Sequence, residues 1–95
     1  MKELNMDASS WKDREGLYLS FFKAVDAPEW HGKNFNALRD SIAVGDINGI
    51  EVPYCIVITN FASVPASLKQ DAQDFIDLIN ELEKEGVPVR IRVEL

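Results

Sequence analysis

Few side chains in this chain are equipped for covalent or acid–base chemistry. It holds one histidine, His31, and one cysteine, Cys55. A cysteine nucleophile needs an exposed, electropositive setting that favours the thiolate. Cys55 lies instead inside Val52-Pro53-Tyr54-Cys55-Ile56-Val57-Ile58, an almost continuously apolar run, and is expected to be a small buried hydrophobe. His31 could serve as a general acid or base only with a carboxylate in contact, and no local spacing supplies one. A single histidine and a single cysteine cannot assemble a zinc site. There is no Walker loop and no GxGxxG to cradle phosphate. Carboxylates along one helix, without a convergent loop, hold Ca²⁺ or Mg²⁺ weakly. The expectation is a protein that is not an enzyme, with no catalytic residues, no metal and no cofactor.

Specific polar groups are densest between Pro28 and Ile42. Here Pro28-Glu29-Trp30-His31-Gly32-Lys33 leads into Asn34-Phe35-Asn36-Ala37-Leu38-Arg39-Asp40-Ser41-Ile42. Asn34 can cap a helix over residues 34–43, because its side-chain oxygen can accept an orphan backbone N–H of the first turn. Phe35, Leu38 and Ile42 then share one face at i, i+3 and i+7. Asn36 and Asp40, four apart, lie on another face beside Arg39. Trp30 and His31 sit in the loop that delivers the chain to the cap. The segment has an apolar back and a polar, aromatic-edged front.

The elements that must hold this segment follow from periodicity. Residues 2–6 alternate, with Leu4 and Met6 on one side, and predict a first strand. Ser9 or Ser10 can cap a helix over 11–25, with Trp11, Tyr18, Phe22 and Val25 on its core stripe and Leu19 and Phe21 flanking. Gly16 costs this helix about 1 kcal/mol of propensity, and Pro28 ends it. Residues 44–51, with two glycines, an Asp and an Asn, predict a loop. The β-branched run 52–58 has the pattern of a central, well-buried parallel strand. Residues 67–85 form the longest helix, on the stripe Leu68, Ala72, Phe75, Ile76, Ile79 and Leu82, and Gly86 follows as its C′ residue. Asp74, Asp77, Glu81 and Glu85 gather on one flank, where like charges at i, i+4 repel by a few tenths of a kcal/mol. That flank is either a solvated face or a surface for a basic partner. Residues 89–95 alternate strictly, and Pro88 with outward Arg90 and Arg92 suits a sheet edge.

The predicted architecture is α/β: a three-stranded parallel sheet of order 1-2-3 with helices packed on it, formed by a single domain over residues 1–95. Helical crossovers between consecutive strands require parallel pairing. Without an apolar run of about 18 residues, no membrane span is expected. The N-terminus lacks a signal-peptide core, and one cysteine makes no internal disulfide, so the expected compartment is the cytoplasm. Net charge is −6 and the pI about 4.6. That argues against nucleic-acid binding, which needs clustered Lys and Arg. It is compatible with simple solubility or with a basic protein partner.

The segment 28–40, the apolar strand 52–58 and the long helix ending Glu83-Lys84-Glu85-Gly86 together resemble the barstar family, over about residues 17–95 and plausibly the first strand as well. The resemblance implies a bacterial, intracellular inhibitor or immunity protein, monomeric when free. It would block the basic active site of a guanyl-preferring, barnase-type extracellular ribonuclease, or of a related toxin, with an acidic helix and loop. By the same resemblance, Asp40 matches the principal inhibitory aspartate and Trp30 an interface aromatic. His31 and Gly32 match the loop crossing the active site, Asn34 the cap, and Glu81 the long helix's interface glutamate. Asn36 stands where a second helix acid is expected, Arg39 replaces a tryptophan and Lys33 replaces an acid. These departures imply either a cognate nuclease with an acid facing Arg39, or weak inhibition. They also keep open an alternative, a non-inhibitory protein-binding domain with a different partner on the same scaffold. A third reading, an enzyme acting through His31 and an acid, rests on an unproven contact.

Overall fold

The computed structural model describes residues 1–26, 39, 42 and 52–95. Strand β1 (Lys2–Asp7) leads through a 3-10 turn, Ala8–Ser10, into helix α1 (Arg14–Ala24). Strand β2 (Tyr54–Thr59) is followed by two 3-10 turns, Phe61–Ser63 and Ala66–Leu68, then helix α2 (Lys69–Lys84) and strand β3 (Val89–Val93). The sheet order is β1-β2-β3, and both pairings are parallel. The α/β architecture and strand order expected from the sequence are therefore those observed.

The register shows why the central strand is apolar along its length. Leu4, Ile56 and Ile91 share one row, and Lys2, Tyr54 and Val89 another. Tyr54, Ile56 and Ile58 are buried in the core beside Leu4, Met6 and Val89. Cys55 and Val57, which alternate with them, point to the other face. Val57 is only 5% exposed and flanked in register by Asn5 and Arg92. On that face Arg92 reaches across β2 to Glu3 at 3.3 Å and also engages Glu94 at 3.2 Å. The ion pair and its aliphatic stem thus flank an apolar strip that the core does not include. Cys55 is half-buried in this strip rather than fully enclosed. The sequence pattern could not separate the two faces of a strand that is apolar on both.

Helix α1 begins later than the periodicity indicated. Neither Ser9 nor Ser10 caps it. Asp13 does, accepting a hydrogen bond from the Gly16 N–H at 2.8 Å. The glycine is therefore in the first turn, where helix propensity matters least. Trp11 precedes the helix yet is buried with Leu17, Tyr18, Phe21 and Phe22, while Leu19 is half exposed. Asp7 starts the preceding 3-10 turn by accepting from the Ser9 backbone N–H.

Helix α2 places Ala72, Phe75, Ile79 and Leu82 in the core. Phe75 meets Phe21 of α1 edge-on, with ring centroids 5.6 Å apart at 63°, a favoured aromatic geometry. Arg14 on α1 and Asp71 on α2 add an exposed contact at 3.0 Å. The C-terminus of α2 closes as a Schellman motif: Val87 N–H donates to the Leu82 carbonyl and Gly86 N–H to the Glu83 carbonyl, with Gly86 at φ +95°. The turn demands glycine because of that φ rather than for lack of room, since a Cβ there would meet no atom within 4 Å.

The C-terminal ends of β1 and β2 are tied by one carboxylate. Asp7 Oδ1 accepts from Asn60 Nδ2 at 2.9 Å and from Ser9 Oγ at 2.7 Å. Asn60 itself sits in the left-handed region at φ 57°, which Asn tolerates better than most residues. The Asn60 hydrogen bond, then those from Ser9, hold the Asp7 carboxyl below its ordinary value of 3.8.

Two outcomes follow. Phe75→Ala should lower unfolding free energy by about 3–5 kcal/mol, measured by urea denaturation. A carboxyl whose pKa falls on folding contributes stability above its unfolded pKa and loses it as pH drops through the folded value. Asn60→Gly keeps the left-handed turn and deletes the hydrogen bond. The gap in urea midpoint between wild type and Asn60→Gly should therefore be widest at pH 6 and narrow as pH falls below about 3.8.

Candidate partner-binding site

Of the residues singled out as the partner-binding front, Trp30, His31, Gly32, Asn34, Asn36 and Asp40 lie outside the described residues, as do Lys33, Phe35 and Leu38 and the loop over 44–51. Arg39, Ile42 and Glu81 are described. Arg39 and Ile42 both have helical backbone, in keeping with the helix expected over 34–43. Ile42 is 2% exposed and belongs to the main core cluster, so this member of the expected anchoring face is an anchor.

Arg39 is turned toward α2. Its Nη2 donates to both carboxylate oxygens of Glu85, and its Nη1 lies 3.9 Å from Glu81 Oε1. Glu81 and Glu85 are four residues apart on α2. As like charges at that spacing they oppose one another, and the guanidinium beside them converts the repulsion into a shared attraction. The three side chains remain between one-third and two-thirds exposed. Their attraction is consequently screened by water and salt.

The acids of α2 do not form a bare negative stripe. Asp71 pairs with Arg14, Gln70 donates to Asp74 at 2.9 Å, Gln73 donates to Asp77 at 2.9 Å, and Arg90 lies 3.4 Å from Glu83. The glutamines each stand four residues before the acid they serve, a helical neighbour spacing. What distinguishes Glu81 and Glu85 is that their counter-charge comes from the segment 28–42 rather than from α1, α2 or the sheet. In the sequence Glu85 stands out only as part of the acidic flank. Its one visible signal is the i, i+4 spacing to Glu81.

Among the described residues, no group of three or more His, Cys, Asp or Glu is arranged to hold a metal ion. Among them also, no helix is long and apolar enough to cross a membrane. Cys55 Sγ lies 3.8 Å from the carbonyl oxygen of Ile56, and its register neighbours are Glu3 and Arg90.

The burial of Ile42 has a measurable consequence. Ile42→Ala should cost about 2–4 kcal/mol of global stability, the range for an apolar side chain removed from a packed core. Thermal or urea unfolding would check it. A loss below about 1 kcal/mol would mean that this segment is not anchored in the core.

Comparison with known proteins bears on the whole chain. The family model described as Barstar (barnase inhibitor) matches residues 1–94. A protein of Bacillus subtilis (strain 168) named "Putative ribonuclease inhibitor YrdF" is 25% identical over 85 residues, covering 90% of this chain and 89% of the relative. At that identity the relative adds general support, whereas the family model spans β1, both helices and β3 together. With that coverage and the parallel 1-2-3 sheet, the chain belongs to the barstar family.

Proposed function

We propose that the protein is a non-catalytic, cytoplasmic inhibitor of a guanyl-preferring, barnase-type ribonuclease or related toxin, acting by obstruction of a basic active site. Family membership across residues 1–94 and the likeness to a relative named as a ribonuclease inhibitor support the general role. The single observation that favours this surface is the approach of Arg39 to Glu81 and Glu85. It sets the residue next to Asp40 in the chain beside the carboxylate-bearing end of α2.

The mechanism follows from charge and shape. A ribonuclease site must hold a phosphodiester with cationic side chains. A carboxylate delivered into such a site can occupy the phosphate position, and hydrogen bonds to ionised partners are the strong ones. Asp40 is the group assigned to that pocket. Trp30, His31 and Gly32 would cover the mouth of the site, Asn34 would cap the helix that carries Asp40, and Asn36 would offer a neutral hydrogen-bonding group. Glu81 would meet a cation at the rim. A net charge of −6 would accelerate encounter with a basic enzyme, and salt would slow it.

The test is inhibition and binding across several guanyl-preferring microbial ribonucleases. At least one should be inhibited at a stoichiometry of one, with association slowing as salt is raised. Asp40→Ala should weaken binding to that enzyme by about 2–5 kcal/mol while leaving the unfolding curve close to wild type. Absence of both binding and inhibition across the panel would sink the reading. Binding that survives Asp40→Ala unchanged would favour a non-inhibitory binding domain, a role to which the cationic Lys33 and Arg39 are better suited.

A further inference from the structure

Arg39 is a cation in a segment that the proposed function asks to enter a cationic site. Taken alone it would be repelled. The structure supplies a reason for its presence that does not involve a partner. Its guanidinium is directed at two carboxylates of α2, with Nη2 on both oxygens of Glu85 and Nη1 3.9 Å from Glu81. The segment's link to the core through Ile42 is apolar and buried, whereas Arg39 is a second, polar point of attachment three residues earlier. Two attachments of different kinds fix an orientation that one cannot. An ion pair also fixes it in both directions, since rotation of the segment would leave Glu81 and Glu85 facing each other unneutralised.

We propose that Arg39 and Glu85 form an intramolecular clasp that ties the helical turn bearing Arg39 and Ile42 to α2, making Arg39 and Glu85 positioning residues for partner binding. This rests on the functional reading above. The clasp lets the chain keep a carboxylate at Asp40 without the adjacent cation facing the enzyme. It also makes Glu81 a shared group. A ribonuclease with a mobile arginine or lysine at its rim can take Glu81 while Arg39 stays on Glu85. One that needs both carboxylates must displace Arg39. Preorganised segments bind better because less ordering remains to be done on association, and lost preorganisation appears chiefly in the dissociation rate. Glu85 thereby gains a role in binding without being assigned a contact with the enzyme.

The experiment has two arms, one of which needs no partner. In the free protein, Arg39→Met, Glu85→Gln and the double variant are unfolded in urea. The expected result is coupling of about twofold to fivefold in the unfolding equilibrium constant, toward the upper end for exposed pairs because two carboxylates share one guanidinium. Coupling should fall as salt is raised. Strict additivity in this cycle would overturn the clasp whatever the protein binds. The second arm uses the ribonuclease that wild type inhibits in the panel above. Arg39→Met and Glu85→Gln should each raise its dissociation rate about twofold to fivefold. The double variant should be no worse than either single variant, and Arg39→Lys should restore part of the loss. Glu85→Gln dissociating as wild type does, in an enzyme that still requires Asp40, would overturn the positioning role while leaving the inhibitor reading intact. Loss of binding to the whole panel by the wild type would remove the inhibitor reading, and the unfolding cycle would still decide the clasp.

Discussion

Everything described here depends on the pairing of β2 on both its edges. Tyr54–Thr59 is the only described strand with a neighbour on each side, and its partners come from opposite ends of the sequence. A parallel pair cannot be closed by a tight hairpin, so each neighbour must be reached by a crossover. Those crossovers carry α1, the segment 28–42 and α2. The buried row Tyr54, Ile56 and Ile58 gives them a common surface to pack on. The residues proposed for partner binding therefore belong to the crossovers, while the strands contribute the foundation.

The candidate site combines two kinds of attachment to that foundation. Ile42 joins the core, where removing a side chain is costly and position is tightly determined. Arg39 joins Glu81 and Glu85 at the surface, where the same energy would be screened and adjustable. An inhibitor built this way can vary its electrostatic face without rebuilding its core. The replacement of an expected tryptophan by Arg39 is then a change of charge arrangement that the neighbouring helix already accommodates.

The sequence made the architecture legible because three different periods point the same way. The run 52–58 is apolar at every position, residues 89–93 alternate, and α2 repeats at helical spacing. Boundaries were harder. The stripe through Trp11 suggested a helix starting there, but Asp13 was a better acceptor for the first turn, and Trp11 packs into the core from outside the helix. The two faces of β2 could not be distinguished, since Cys55 and Val57 are as apolar as their neighbours, and only register reveals Glu3 and Arg92 beside them. Asp40 and Trp30 are site candidates by resemblance alone and lie outside the described residues. The counter-charge at Arg39 was not legible, because residues 39 and 85 are separated by 46 positions and no local pattern links an arginine to glutamates on another helix.

The position of β3 makes the central strand dependent on the far end of the described elements. Val89 is part of the core, and Tyr54 N–H is satisfied by the carbonyl of Pro88, one residue before the strand. Glu94 N–H donates to Ile58, and Glu94 accepts from Phe61, so the far end of β2 is completed only by residues beyond the strand. Without β3, one hydrogen-bonding edge of the central strand would stay open, since Tyr54–Ile58 pairs on that side with Val89–Val93. The helices that β2 and β3 support therefore depend on a strand that lies beyond all of them in the sequence.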